Sequence, residues 1–196
     1  MVDPIRFVSS NPNKLAEANR LLGIDLEPVS LDLVEVQAAS AETITLEKLT
    51  LARTKIDGRL IVEDVSLGFV SLGGFPGPYI RWLMESAGGE GLGRIARGLD
   101  DRRATAICCV AFWDGKAAHL FHGSTDGHVN ADPRGLRTFG WDPWFQPDGS
   151  NRSFGEMTSE EKDEMSHRAR AYRKLAAHLI EHEGRARREA DHVDML

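Results

Sequence analysis

Residues 5–23 read IRFVSSNPNKLAEANRLLG, and this stretch predicts a strand, a tight turn and a helix. Three of its first four residues are apolar, and the run stops at a polar turn. Leucine and alanine then recur with helical spacing as far as Gly23. Asn11 suits the capping position and Pro12 the first helical position, because proline has no N–H to lose there. We therefore expect the helix to begin near Asn11.

Outward from this unit, the remaining patterns predict further strands and helices. They are a strand pair within 26–36, a helix over 43–55, a strand over 60–62, helices over 79–87 and 91–99, a hairpin over 104–123 and a long helix from 158. Asp114-Gly115 marks the hairpin turn, and Thr158 with Glu161 forms a capping box. This order predicts an α/β fold with a central mixed sheet, in a single domain over residues 1–196 with two lobes. The charged end, residues 183–196, is predicted to be a flexible tail.

Composition excludes several classes of protein. A chain of 196 residues predicts one generous domain. Twenty-four basic against thirty acidic residues leave a net charge of −6, which argues against a nucleic-acid partner. No apolar run approaches the roughly 18 residues of a membrane helix, and no leader pattern is present, so we expect a cytoplasmic protein without a membrane partner. Cys108 and Cys109 are predicted to be buried free thiols, which suits a reducing compartment.

The turn Ser9-Ser10-Asn11-Pro12-Asn13-Lys14 is the first candidate site. A strand-to-helix turn exposes backbone N–H groups beside the positive end of the helix dipole, and Lys14 adds a full charge. A phosphate group would bind there. The alternative is a solvent-facing helix cap, since turns of this composition are common.

The acidic pair Glu63-Asp64 is the second candidate, with Glu35 on an earlier segment as its partner. The pattern places the pair where an apolar strand ends. Two or three carboxylates together with substrate phosphates usually hold Mg²⁺, and a neighbouring carboxylate can orient water. The alternative is that these acidic residues are merely solvated.

Two later segments are further candidates. In Phe139-Gly140-Trp141-Asp142-Pro143, aromatic rings flank a glycine that permits close approach, and the aspartate can accept from a ring N–H. That composition suits a planar base, with a core-packed aromatic turn as the alternative. Ser166-His167-Arg168 is predicted to lie within the capped helix, with at least one side chain projecting outward. The histidines show no zinc spacing, and no Ser-His-Asp triad is indicated.

Taken in chain order, these motifs resemble the inosine triphosphate pyrophosphatase family, also called Ham1-like. The turn at 9–14 is similar to the family's [ST]-x-N-x-x-K signature, and Val62-Glu63-Asp64 to its acidic strand end. The glycine-proline loop over 72–79 and the segments 139–143 and 166–168 follow in order. Each motif alone is weak, but five in the right order cover nearly the whole chain.

The resemblance implies a fold, an activity and partners. It implies an elongated, two-lobed α/β/α homodimer whose active site lies in the cleft between the lobes. The implied reaction cleanses the nucleotide pool: it hydrolyses purine nucleoside triphosphates with non-standard bases (ITP, dITP, XTP) to the monophosphate and pyrophosphate. Mg²⁺ is the implied cofactor, with Mn²⁺ as its substitute.

The resemblance also implies residue roles. Glu35 and Asp64 would hold Mg²⁺, and the Glu63-Asp64 pair would include the group that orients or deprotonates the attacking water. Lysines would stabilise the charge that builds on the departing pyrophosphate. The residues implied to bind the triphosphate are Ser9, Asn11, Lys14, Lys48 and Asp64, with Arg81 also contacting the nucleotide. Those implied to bind the base are Phe139, Gly140, Trp141, Asp142, His167 and Arg168, and Lys162 would reach the base or the phosphate.

Base choice follows from donor and acceptor types. Hypoxanthine and xanthine present a 6-oxo acceptor, for which His167 and Arg168 are natural donors, whereas adenine presents an amino group there. Two positions depart from the family pattern. Val65 replaces the usual serine or threonine, which leaves the backbone N–H or Ser66 to meet phosphate. Arg81 replaces the lysine of related eukaryotic-type members and presents a bidentate fork instead of a point charge.

Two other functions are alternatives to this one. A Maf-like pyrophosphatase would act on modified pyrimidine nucleotides, but the aromatic segment and Ser166-His167-Arg168 favour purines. A non-catalytic nucleotide-binding module would be expected to have lost one of four residues, all of which are present: Lys14, Glu35, Glu63 and Asp64.

Overall fold

The computed structural model describes residues 4–31, 33–137 and 139–193, with residues 183–193 as backbone. Within these residues the chain forms seven strands and five α-helices. The strands are β1 (Ile5–Val8), β2 (Glu27–Val29), β3 (Arg59–Phe69), β4 (Pro76–Gly77), β5 (Arg103–Trp113), β6 (Ala118–Val129) and β7 (Phe145–Pro147). The helices are α1 (Pro12–Leu22), α2 (Ala41–Arg53), α3 (Ile80–Arg97), α4 (Ser159–Met165) and α5 (His167–Val193).

All seven strands belong to one sheet, in which the order is β2-β1-β3-β5-β6-β7 and β4 pairs with β3. β1 is parallel to β2 and β3, whereas β5, β6 and β7 extend the sheet in antiparallel fashion. The predicted α/β fold with a mixed sheet is confirmed. Its division into two lobes stays a prediction.

β3 runs through the middle of the sheet and carries the acidic pair. Its antiparallel ladder with β5 runs from Leu60 to Phe69 without interruption. The prediction that the strand ends at Glu63-Asp64 is therefore wrong, because the pairing with β5 continues five residues beyond Asp64. Successive side chains of a strand point to opposite faces, so Glu63 and Asp64 face opposite sides of the sheet.

Helices cover both faces of the sheet and give each carboxylate different neighbours. On one face α1 and α5 enclose a core to which β3 contributes Ile61. On the other face α2 packs over Leu60 and Val62 of the same strand. A third core, beneath α3, includes Leu67 near the far end of β3. Glu63 therefore shares the face of α1 and α5, and Asp64 shares the face of α2.

Local signals in the sequence set most helix boundaries. The side chain of Asn11 accepts the N–H groups of Asn13 and Lys14, and Pro12 opens α1 as predicted. α2 begins two residues earlier than predicted. The two predicted helices over 79–87 and 91–99 are the two halves of α3, which are joined at Gly88, where φ is 64°.

Two predictions made from longer patterns are wrong. The capping box of Thr158 and Glu161 is present, but the helix that it opens ends at Met165. Ser166 adopts extended backbone (φ −71°, ψ 149°), and α5 starts afresh at the next residue. Of the strand pair predicted within 26–36, the described residues form only the short edge strand β2.

The C-terminal end continues as helix. α5 runs as far as Val193, whereas residues 183–196 were expected to be a flexible tail. Residues 194–196 lie outside the described part of the chain, and the flexibility of this end stays a prediction. None of the described helices is both long and apolar enough to span a membrane.

Candidate active site

A cleft of about 800 Å³ opens beside the middle of β3, and most of the predicted site residues line it. One wall includes the turn before α1, another the segment before α2, and a third the start of α3. The predicted residues that it contains are Ser9, Asn11, Lys14, Glu35, Lys48, Glu63, Asp64, Arg81, Phe139, Gly140, Trp141, Asp142, His167 and Arg168. Residues up to 159 positions apart in the sequence thus line the same cleft.

The turn before α1 presents donors to this cleft. The Ser9 hydroxyl oxygen accepts the backbone N–H of Asn11 at 3.1 Å, which shapes the turn. The positive end of α1 faces the cleft beside Lys14, as the sequence predicts for an anion site. The Lys14 ammonium lies 3.3 Å from a Glu63 carboxylate oxygen.

Glu63 is enclosed on the face of α1 and α5. The Nε and Nη2 groups of Arg168 donate to its Oε1 at 3.2 and 3.1 Å, and the Tyr172 hydroxyl donates to its Oε2 at 2.8 Å. The residue is only 4% exposed. Burial by itself raises the pKa of Glu63, but Arg168, Lys14 and Tyr172 outweigh it and lower the pKa to about 2. This carboxylate is a fixed negative charge.

Asp64 faces α2 and has different partners. The Lys48 ammonium donates to its Oδ1 at 2.7 Å and also lies 2.9 Å from Oε1 of Glu35. Oδ2 of Asp64 is buried and makes no hydrogen bond. Burial raises the pKa of Asp64, and the neighbouring ammonium of Lys48 offsets only part of that rise. Asp64 is thus incompletely satisfied, unlike Glu63.

Glu35 bridges two walls of the cleft. Its Oε2 accepts from Nη1 of Arg81 at 2.8 Å, and Arg81 also pairs with Glu85 on α3. Burial raises the pKa of Glu35, but Lys48 and Arg81 outweigh it and leave the pKa lowered. Arg81 is half exposed, so this contact is open to solvent.

The aromatic segment forms the far end of the cleft. Trp141 and Asp142 are each 7% exposed, and Trp141 stacks on the His167 ring with centroids 5.2 Å apart. Oδ2 of Asp142 accepts from the Lys162 ammonium, which also lies 4.6 Å from the centroid of the Phe139 ring. Burial raises the pKa of Asp142, and Lys162 opposes that rise. The core-packed alternative is therefore partly right, since Trp141 packs in the third core and also lines the cleft.

Lys162 does not line the main cleft. Its side chain is buried and lines a neighbouring cavity of about 280 Å³, which Phe139 and Asp142 separate from the cleft. Ser66 is 5% exposed and does not line the cleft, whereas Val65 does. The side-chain hydroxyl absent at position 65 is therefore not replaced by Ser66.

The prediction that one side chain of Ser166-His167-Arg168 projects outward is wrong. All three residues are 2% exposed, because the break at Ser166 lets α5 restart against the sheet. Each guanidinium nitrogen of Arg168 donates to a carboxylate, Nη1 to Glu17 and the others to Glu63. Paired charges can be buried in this way, whereas an isolated guanidinium could not.

Both ring nitrogens of His167 are buried, and neither has a hydrogen-bond partner among the described residues. Burial lowers the pKa of His167 well below its ordinary value, and the cations of Arg168, Lys162 and Lys14 lower it further. The ring is therefore neutral and offers one donor and one acceptor.

Two residues that contact the site were missed in the sequence. Glu17 lies one helical turn after Lys14 on α1, and its carboxylate accepts from both Lys162 and Arg168. Tyr172 lies one turn after Arg168 on α5. The i, i+3 and i, i+4 spacings could have indicated both, since residues so spaced share a helix face.

The donor set restricts how a metal could be held. Over the described ranges, no group of three or more His, Cys, Asp or Glu side chains is arranged to hold a metal ion. The pair of Asp64 and Glu35 still fits a Mg²⁺ ion that takes its other ligands from substrate phosphates and water. The buried, unpartnered Oδ2 of Asp64 is the observation that supports this fit.

Comparison with known proteins adds independent findings. The model of the Ham1 family matches residues 5–178. The chain is 40% identical to the inosine triphosphate pyrophosphatase of Emericella nidulans over 181 residues, which cover 90% of this chain and 97% of the relative. It is 39% identical to the inosine triphosphate pyrophosphatase of Puccinia graminis f. sp. tritici over 184 residues, covering 88% and 95% of the two chains.

Solved structures give the same picture. The Ham1 protein of Staphylococcus aureus superposes with a TM-score of 0.77 at 23% identity, covering 92% of this chain and all of that one, a likeness that concerns the fold alone. A HAM1 protein from Coxiella burnetii gives 0.76 at 26% identity, with 91% and 98% covered. The nucleoside-triphosphatase (dITP/XTP pyrophosphatase) of Mycobacterium abscessus gives 0.69 at 28%, with 90% and 99% covered.

Proposed function

The chain belongs to the Ham1 family, and on that premise we propose that it hydrolyses purine nucleoside triphosphates with non-standard bases to the monophosphate and pyrophosphate. It is a nucleoside triphosphate pyrophosphatase. One observation carries the proposal: a single cleft joins an anion-binding turn, an unsatisfied aspartate and an aromatic wall with a neutral histidine. The two alternatives, a Maf-like enzyme and a non-catalytic module, are not favoured.

We propose that the triphosphate lies along the turn before α1. The backbone N–H groups and dipole of α1 would meet phosphate oxygens, and Ser9, Asn11 and Lys14 would hold them. These groups offset the repulsion expected from a chain of net charge −6. Lys48 and Arg81 would add positive charge from the opposite walls.

The two acidic neighbours then have different tasks. Asp64 has a free carboxylate oxygen and would orient the attacking water or accept its proton. Glu63 has no free oxygen, so its task is to position Lys14 and Arg168. Glu35 and Asp64 would hold Mg²⁺, which when bound supplies charge that neutralises the phosphate oxygens. The lysines stabilise the charge on the departing pyrophosphate.

We propose that the base lies against the aromatic wall. The neutral His167 and the remaining N–H groups of Arg168 would donate to a 6-oxo group, which adenine lacks. Phe139 and Trp141 would contact the ring faces, Gly140 would permit close approach, and Asp142 and Lys162 would complete the polar edge. A site with buried polar groups rejects the wrong base strongly, by about 10⁴-fold, because the mismatch leaves those groups unpaired.

Product analysis tests this function. The purified protein is incubated with ITP, XTP, GTP and ATP, with and without Mg²⁺, and pyrophosphate is separated from orthophosphate. Mg²⁺-dependent release of monophosphate and pyrophosphate from ITP and XTP, with ATP and GTP largely untouched, is the expected result. ATP lacks the 6-oxo group, and GTP, which has it, would be excluded through its 2-amino group. Release of orthophosphate, or equal turnover of all four nucleotides, would contradict it.

We also propose a cytoplasmic homodimer with no nucleic-acid or membrane partner. Val70, Leu72 and Phe75 lie close together in the chain, and each residue is more than a third exposed, which supports a contact surface. Cys108 and Cys109 are free thiols, as predicted, which suits a reducing compartment. Light scattering should give twice the chain mass, and Phe75→Asp should give the monomer. Cell fractionation tests the location.

A further inference from the structure

Lys48 lies between the two carboxylates to which the proposed function gives Mg²⁺. We propose that Lys48 is an internal counter-ion, whose ammonium holds the cation position in the free protein and moves to the triphosphate once a divalent cation takes the carboxylates. The inference rests on the proposed function and deepens it. In this role Lys48 couples binding of metal to binding of substrate.

The contacts of Lys48 place its charge where a metal would need to be. Its Nζ is 2.7 Å from Oδ1 of Asp64 and 2.9 Å from Oε1 of Glu35, so one ammonium joins both acids. Mg²⁺ binds oxygen at about 2.0–2.1 Å. A divalent ion that joined Asp64 to Glu35 through either oxygen of Asp64 would therefore lie within a few ångströms of the ammonium and repel it.

Burial strengthens the electrostatic interactions among Lys48, Asp64 and Glu35. The side chains of Lys48, Asp64 and Glu35 are 12%, 14% and 28% exposed. Charges screened so little by water interact strongly, and two carboxylates held together without a cation would repel each other. Lys48 therefore stabilises the empty site, and for the same reason it competes with any ion that enters.

The lysine can leave without unfolding anything else. Its ammonium is a point charge on a flexible four-carbon stem, in contrast to the rigid fork of arginine. It lines the same cleft as the turn before α1, where phosphate oxygens would offer new partners. Because coupling between sites is reciprocal, a lysine released by the metal favours the triphosphate, and the triphosphate favours the metal.

Lys14 provides the matched comparison. It is also a lysine of the cleft, but its ammonium contacts Glu63 at 3.3 Å on the other face of β3. Removing its charge alters the overall field of the cleft without vacating the space between Asp64 and Glu35. Comparing variants of the two lysines therefore distinguishes direct competition of Lys48 with the metal ion from the effect of any positive charge in the cleft.

Metal binding is measured with Mn²⁺ alone, by electron paramagnetic resonance of the free ion, on the full chain without nucleotide. Lys48→Met is expected to bind Mn²⁺ about tenfold more tightly than wild type, because a competing charge a few ångströms away has gone. Lys14→Met is expected to change the affinity by about twofold, and Asp64→Asn to lose the site. An unchanged or weaker affinity in Lys48→Met would overturn the proposal.

A second measurement uses the wild-type protein, so that poor folding of a variant cannot affect the result. Amine modification of Lys48 is followed by mass spectrometry with and without Mg²⁺. The modification rate should rise about threefold or more with Mg²⁺ as the ammonium is released, while exposed Lys55 serves as the internal reference. A rate for Lys48 that Mg²⁺ leaves unchanged would contradict the inference.

These outcomes are distinct from those of the proposed function. Neither measurement contains a nucleotide, so failure of the wild-type protein to cleave ITP would leave the displacement of Lys48 standing. Conversely, a wild type that cleaves ITP while Lys48→Met binds Mn²⁺ no better would overturn only the counter-ion role.

Discussion

Glu63 and Asp64 are neighbours on β3, yet their surroundings have little in common. Glu63 faces α1 and α5, where Arg168, Lys14 and Tyr172 surround both of its oxygens. Asp64 faces α2, where Lys48 meets one oxygen and the other has no partner. The alternation of side chains along a strand puts the two carboxylates on opposite faces of the sheet, and the helices packed on each face supply the different partners.

The comparison shows how one acidic pair can serve two purposes. A carboxylate whose two oxygens both accept hydrogen bonds from buried donors holds those donors in place and offers little to a ligand. A buried oxygen without a partner costs free energy until something binds it, and in a cleft such an atom is a candidate for binding a ligand. Glu63 therefore positions its neighbours, and Asp64 is available to bind water or metal.

The largest effect is expected from Asp64→Asn. Turnover of ITP should fall by about 10³-fold or more, because the variant loses the charge that acts on water and metal. Its melting temperature should stay the same or rise, since burial already disfavours the ionised form of Asp64. Steady-state kinetics and a thermal melt check both, with Asp100→Asn at an exposed position as the control. Near-normal turnover would remove Asp64 from the mechanism.

Glu63→Gln should act mainly on stability. The free energy of unfolding should fall by about 3 kcal/mol, because the change leaves Arg168 without one of its two buried carboxylates. Urea titration measures this loss. Glu85→Gln, which breaks the exposed pair with Arg81, should lose less than about 1 kcal/mol. Equal losses in the two variants would contradict the enclosure of the Glu63 charge.

Lowering the pH should reduce the free energy of unfolding through Glu63. The folded pKa of about 2 lies below the ordinary value of 4.5, so the stabilisation is complete above pH 4.5 and is lost as the pH falls toward 2. Between pH 5 and 3 this carboxylate should account for about 2 kcal/mol of lost stability. Urea titrations of wild type and Glu63→Gln test this, because the wild type should lose more stability over that range. Parallel losses would contradict the assignment.

The smallest effect is expected from Tyr172→Phe. Losing one hydrogen bond to the buried carboxylate should lower the free energy of unfolding by about 1.5 kcal/mol. In the double variant with Glu63→Gln the loss should shrink, since the charged acceptor has already gone. A double-mutant cycle measures this coupling. Full additivity would show that the hydroxyl acts independently of Glu63.

Patterns local in sequence predicted much of the fold. The cap at Asn11, the turn at Asp114-Gly115 and the box at Thr158 depend on a few consecutive residues, and all three lie where expected. The errors came from long-range effects. The pairing of β3 with β5 extends the strand past Asp64, and packing against the sheet accompanies the break at Ser166.

For the candidate site, the sequence supplied the residue types and their order, and the family resemblance that these carry is confirmed. Fourteen of the fifteen predicted site residues line the cleft, and only Lys162 lies behind it. Glu17 and Tyr172 were missed because their partners are far away in sequence. Only the tertiary structure could show that adjacent acids differ, because the partner of each charge comes from another element. Backbone preferences act over a few residues, whereas the field at a buried carboxylate is set by whatever the fold packs against it.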